Sequence, residues 1–115
     1  MSNRIRSVRV AQRRLSPAEA ELWVTVEPER VTPATEVRGR LDGPRCPGRQ
    51  TVELSYPLRP VPHPAPSEPG TLTARILIPE PNRWTEDAPF SYEGSVELWE
   101  GGECADRHPL VVRFR

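Results

Sequence analysis

The sequence predicts an all-β sandwich, and three observations carry that prediction. Apolar and polar residues alternate in short runs, for example over 22–27, 71–78 and 92–99, which is the period of a half-buried strand. Turn-forming clusters separate those runs: Asp42-Gly43-Pro44, the proline tract 60–70 and Gly101-Gly102. Fifteen prolines in 115 residues would signal disorder if the apolar residues were scattered. They are not, so the prolines read as turn and edge devices.

Taken in order, Ile5, Val8 and Val10 mark a first strand of imperfect register, as expected of an edge strand with a bulge. Residues 15–20 have the makings of one short helical turn. A second strand puts Leu22, Val24 and Val26 on one face and Trp23, Thr25 and Glu27 on the other. In the third, Val37, Gly39 and Leu41 alternate with Glu36, Arg38, Arg40 and Asp42, and the Asp42-Gly43-Pro44 turn ends it. Val52, Leu54, Tyr56 and Leu58 form a fourth strand that Pro57 and Pro60 confine to an edge, because proline has no ladder N–H.

The segment 60–70 is a stiff, extended, proline-rich loop; docking to a proline-reading domain is the alternative. Leu72, Ala74, Ile76 and Ile78 face inward on the fifth strand, and Tyr92, Gly94, Val96 and Leu98 on the sixth. Between these two lies a crossover, 79–91, too rich in proline for helix or sheet. Trp84, Phe90 and Tyr92 gather there within nine residues, with Trp84 expected to fold back as a plug. After a Gly101-Gly102 hairpin the last strand aligns Leu110, Val112 and Phe114. Seven strands, turns between them and no helix predict one seven-stranded immunoglobulin-like β-sandwich domain over 1–115.

Composition excludes several function classes. Sixteen arginines balance sixteen acids, with no lysine, which leaves no general field for nucleic acid or an anionic membrane. Arg4, Arg6, Arg9, Arg13 and Arg14 precede any acid; a charged edge that discourages aggregation explains them more simply than a nucleic-acid arm. No run reaches the roughly twenty apolar residues of a membrane span, and the N-terminus lacks a hydrophobic signal core. A cytoplasmic location is therefore expected, with Cys46 and Cys104 as free thiols; one bridge between them is the alternative for an exported chain.

Catalytic patterns are sparse. No P-loop, dinucleotide fingerprint or zinc-protease helix occurs. The histidines are His63, inside the proline tract where nothing rigid would hold it, and His108. Glu80, Glu86 and Asp87 flank Trp84 in the manner of a glycosidase carboxylate pair, yet they share one loop and read as solvated turn acids. Cys104, Asp106 and His108 alternate on one strand face, with Cys46 a conceivable fourth ligand. Three such positions span about 13 Å, too wide for one zinc unless the strand bulges. No catalytic residue, metal or cofactor is assigned. Trp23 and Trp99, with Leu77 and Val111, point outward. They are the candidate binding residues, able to stack on sugar rings or anchor a partner, unless they pack under a loop or against a second copy.

The run Ile78-Pro79-Glu80-Pro81-Asn82-Arg83-Trp84-Thr85-Glu86-Asp87-Ala88-Pro89-Phe90-Ser91-Tyr92 resembles a segment of family 2 glycoside hydrolases, the β-galactosidase, β-glucuronidase and β-mannosidase group. In that segment a Pro and a Trp precede an acid, a Pro and a Tyr. It lies in the immunoglobulin-like sandwich just ahead of the family's catalytic barrel. Arg113-Phe114-Arg115 stands where the family has Gly-aromatic-Arg, and Ser91 where it has leucine. The family's acid/base and nucleophile glutamates belong to the barrel, and this chain stops where the barrel would begin. The resemblance therefore implies a sandwich without the active site, in which Trp84, Pro89 and Tyr92 are structural. The expectation is a non-catalytic module with a structural or protein-interaction role, through a protein partner or as a homo-oligomer. A carbohydrate-binding module, or a fragment or subunit of a glycoside hydrolase, is the alternative.

Overall fold

The structure, a computed structural model, describes residues 3–61 and 68–115. Among these residues, eight strands make two four-stranded antiparallel sheets. One sheet has the order β1-β2-β6-β5, from Ile5–Leu15, Glu19–Pro28, Leu72–Pro79 and Arg59–Pro60. The other has the order β4-β3-β7-β8, from Leu54–Pro57, Thr35–Arg45, Ser91–Glu100 and Glu103–Val112. The all-β sandwich expected from the alternating runs is what forms.

The core sits between the sheets and uses the residues that the alternation selects. Ala20, Leu22, Val24 and Val26 of β2 and Ala74, Ile76 and Ile78 of β6 are buried on one side. Leu41 of β3, Tyr92, Val96 and Leu98 of β7, Leu110 of β8 and Phe114 are buried on the other. The β2–β6 register pairs Leu22 with Ile76 and Val24 with Ala74, so a one-residue slip of either strand would turn its apolar row to solvent. Each large side chain buried this way contributes about 1.5–3 kcal/mol. At Gly94 a Cβ would lie 1.9 Å from the Arg40 carbonyl oxygen. The approach of β3 to β7 therefore requires glycine there.

Four local expectations are corrected. The expected fourth strand is two strands in different sheets. β4 pairs with β3 as far as Arg40↔Pro57, the Leu58 N–H then donates to the Gly39 carbonyl at 2.9 Å, and Arg59 pairs with Arg75 of the opposite sheet. Pro57 and Pro60 both lie on edges, where a missing N–H costs no ladder bond, and the split raises the strand count from seven to eight. Asp42-Gly43-Pro44 does not end β3. It forms a bulge with a cis Gly43-Pro44 bond, after which Arg45 still pairs with Ser91.

Residues 15–20 make a hairpin turn instead of helix, because the Ser16 hydroxyl accepts the Ala18 and Glu19 N–H groups at 3.2 and 3.1 Å and competes with helical pairing. Finally, Trp84 is not the plug. It is only half-buried at the rim, and Tyr92 fills the end of the core instead, 1% exposed. Its ring lies edge-on to Phe114 at 5.4 Å and to Tyr56 at 6.2 Å.

Tyr92 also fixes the crossover. Its hydroxyl oxygen accepts the Asn82 N–H at 3.0 Å, three residues beyond the end of β6 at Pro79. The Trp84 N–H donates to the Phe114 carbonyl at 2.6 Å, and Trp84 bridges to Pro89. A proline-rich segment outside both sheets is thus held at three points.

Candidate functional site

The two outward tryptophans occupy equivalent places on opposite faces of the sandwich, each on an inner strand of its sheet. Both are half-buried, and each belongs to the same kind of cluster. The Trp23 indole N–H donates to Glu21 Oε2 at 3.0 Å, and that carboxylate also pairs with Arg75 at 3.3 Å. The Arg13 guanidinium lies over the Trp23 ring, 4.4 Å from its centroid. On the other face the Trp99 indole N–H donates to Glu97 Oε1 at 3.2 Å. Glu97 pairs with Arg107 at 2.5 Å, and the Arg38 guanidinium lies over the Trp99 ring at 4.0 Å.

Strand geometry explains the duplication. Residues two apart on a strand share a face, so Glu21 lies beside Trp23, and Glu97 beside Trp99. Arg38 reaches Trp99 diagonally, since Trp99 pairs with Glu36. Arg13 reaches Trp23 because β1 bulges between Gln12 and Arg14. The tripeptide Glu-Leu-Trp occurs twice, at 21–23 and 97–99. That repeat was the sequence signal for the clusters, and alternation analysis of each strand by itself passes over it. Both carboxylates are held below the ordinary range, first by the indole hydrogen bond and then by the neighbouring arginine.

The consequence for recognition is direct. A tryptophan that stacks on sugar offers an open ring face and a free N–H. Here a guanidinium covers one ring face of each indole, and a carboxylate takes each N–H. A groove of about 660 Å³ does run beside Trp23, lined by Arg9, Val10, Arg13, Thr25 and Glu68, so its walls are mainly basic and aliphatic. Of the other outward residues, Leu77 is half-buried and Val111 is 51% exposed.

The remaining candidates do not converge. Glu80, Glu86 and Asp87 are exposed along the crossover. His63 lies outside the described residues. Asp106 is committed to the backbone: Oδ2 accepts the Ile5 N–H at 2.9 Å and Oδ1 the Arg107 N–H at 2.8 Å. The strand does bulge at this point, between Leu98↔Asp106 and Trp99↔Cys104, but among the described residues no three metal-ligating groups gather. Cys46 is buried and Cys104 exposed, both free. Among the three crossover residues, Trp84 sits under the Arg115 guanidinium at 4.7 Å, Pro89 is its bridge partner, and Tyr92 is the buried anchor.

No protein-family model matches the chain, and no curated protein matches it. Solved structures do. A β-glucuronidase from Bifidobacterium dentium, complexed with coumarin-3-O-glucuronide, superposes with a TM-score of 0.65 at 17% identity, over 99% of this chain and 18% of that one. A glycosyl hydrolase family 2 member from Bacteroides cellulosilyticus gives 0.66 at 16% identity, over 98% and 15%. A β-glycosidase from Bacteroides vulgatus gives 0.63 at 14% identity, over 99% and 14%. The chain thus spans less than a fifth of the length of each. At these identities the likeness is one of fold: this chain is a β-sandwich similar to a small part of family 2 glycoside hydrolases.

Proposed function

We propose that the chain is a non-catalytic sandwich module that works through protein contacts, in the manner of an accessory domain beside a glycoside hydrolase catalytic unit. The observation that carries this reading is the extent of the likeness. Nearly the whole chain is used in matching 18% or less of each hydrolase, so most of each enzyme has no counterpart here. The crossover acids support it, since Glu80, Glu86 and Asp87 are exposed on one loop, whereas a glycosidase holds its substrate between facing carboxylates.

Two assays on the purified chain test the reading together. Chromogenic β-glucuronides and β-galactosides should show no turnover above buffer; turnover that disappears in Glu86→Gln or Asp87→Asn would make the chain an enzyme. Titration with an oligosaccharide panel should leave tryptophan fluorescence unchanged. A saturable change lost in Trp23→Ala or Trp99→Ala would make it a carbohydrate module instead. The arginine over each indole favours the silent outcome.

A further inference from the structure

The geometry points to the edge of β1, unpaired among the described residues, as a docking strand for an extended, acidic segment of another protein, which would add a fifth strand to the β1-β2-β6-β5 sheet. This rests on the protein-contact reading above and names its site and partner class.

Edge strands invite such pairing because one row of N–H and C=O groups is left open, and proteins commonly block it with proline. Three of the four edges here are blocked in that way: β4 by Pro57, β5 by Pro60 and β8 by Pro109. β1 contains no proline. It is also the longest edge at 11 residues. Between its two bulges, Ser7 to Gln12 keep unbroken register with β2, so their outer backbone groups present a regular ladder.

The side chains define what would fit. On the inner face of this stretch Val8 packs against the core and Val10 remains 42% exposed, leaving apolar surface for an aliphatic residue to cover. On the outer face stand Arg9 and Arg13, and β1 itself has no acid. Arg9 is paired with Glu68 at 2.8 Å, but both side chains are more than half exposed. Such a pair is worth little and exchanges readily for an incoming carboxylate. An incoming strand alternating aliphatic with acidic residues satisfies both faces at once. A second copy pairing β1 to β1 would instead set these arginines against each other, which like charges oppose.

The probe is a labelled, end-capped peptide of about eight residues alternating valine with glutamate, added to the purified chain. Anisotropy should report saturable binding that weakens with salt, and hydrogen exchange should slow at backbone amides of residues 7–12 alone. In Arg9→Glu/Arg13→Glu, affinity should fall by about tenfold or more, while an unchanged urea midpoint shows the fold intact; Arg9→Gln gives a milder loss in a variant with no new charge. Protection at another edge, no protection at all, or equal binding by a valine–lysine peptide or by polyglutamate overturns the proposal. So does a dimer in light scattering whose β1 amides are protected without peptide, which would make the partner a second copy. Silence toward the peptide, with the glycoside assays also silent, would leave the non-catalytic reading standing without this site.

Discussion

Tyr92 joins three parts of the molecule through one side chain. Its ring packs between Tyr56 and Phe114, and its hydroxyl holds the crossover at Asn82. Tyr92→Phe keeps the packing and leaves the Asn82 N–H without its partner, so equilibrium urea unfolding should show a loss of about 1–2 kcal/mol. Burial raises the Tyr92 pKa above its usual 10.0. The neutral phenol is thus the form the fold prefers. Its contribution is complete below pH 10 and is lost as pH climbs through the raised folded value. Alkaline titration of stability should show this loss in the native chain and not in Tyr92→Phe.

Gly94 is the second residue on which much depends. Any Cβ there meets the Arg40 carbonyl oxygen at 1.9 Å, so Gly94→Ala should cost about 3 kcal/mol or more, through backbone displacement between β3 and β7. A variant with a native urea midpoint would mean that the two strands are not that close. Gly94 was legible as an inward position of its strand. That it must be glycine was not, because the demand comes from a neighbouring strand 54 residues earlier. Trp84 and Tyr92 differ for a related reason. Both are large aromatics near prolines, and only the end of the core, closed by Phe114, decides which one is enclosed.

At the scale of elements, the Glu-Leu-Trp strands offer a pH readout. Folding lowers the pKa of Glu21 and Glu97, so the ionised, indole-bound form is favoured above the ordinary carboxylate value and lost as pH falls through the lowered one. Acid titration followed by tryptophan emission should therefore move below roughly pH 4, the usual carboxylate range. Glu21→Gln and Glu97→Gln should each remove one part of that change. A midpoint at or above the usual range would show that the indoles do not hold these carboxylates.

Strand register also separates the thiols. Cys104 pairs across to Trp99, which pairs with Glu36, while Cys46 follows Arg45 at the other end of β3. Nine residues of strand put them roughly 30 Å apart, beyond any disulfide. Thiol titration of the native chain should find Cys104 reacting fast and Cys46 only after denaturant is added. Early loss of both thiols without denaturant would contradict the burial of Cys46.

For the whole molecule, the sandwich was legible because period-two alternation in β2, β6 and β7 survives intact into the core, with Leu22, Val24, Ile76, Ile78, Val96 and Leu98 all buried. The departures fall where proline has two meanings. Pro44 turns a chain in most contexts and here sits inside β3; Pro57 and Pro60 mark an edge, and they mark two different edges. Local chemistry does not distinguish these cases, since the choice depends on which sheet the next few residues join. Trp23 and Trp99 lie half-buried on the outer faces of the two sheets. Their arginine covers come from neighbouring strands, Arg13 through a bulge and Arg38 through a diagonal pairing. Neither is visible in a single run of sequence.

The positions of the three indoles have a practical corollary. One reports from each broad surface and the third from the closed end, beneath Arg115. Retaining each in turn and replacing the other two with phenylalanine would yield three versions of the chain, each with its own optical gauge. Whether the halves of the scaffold loosen in concert or one after the other could then be followed without attaching a dye.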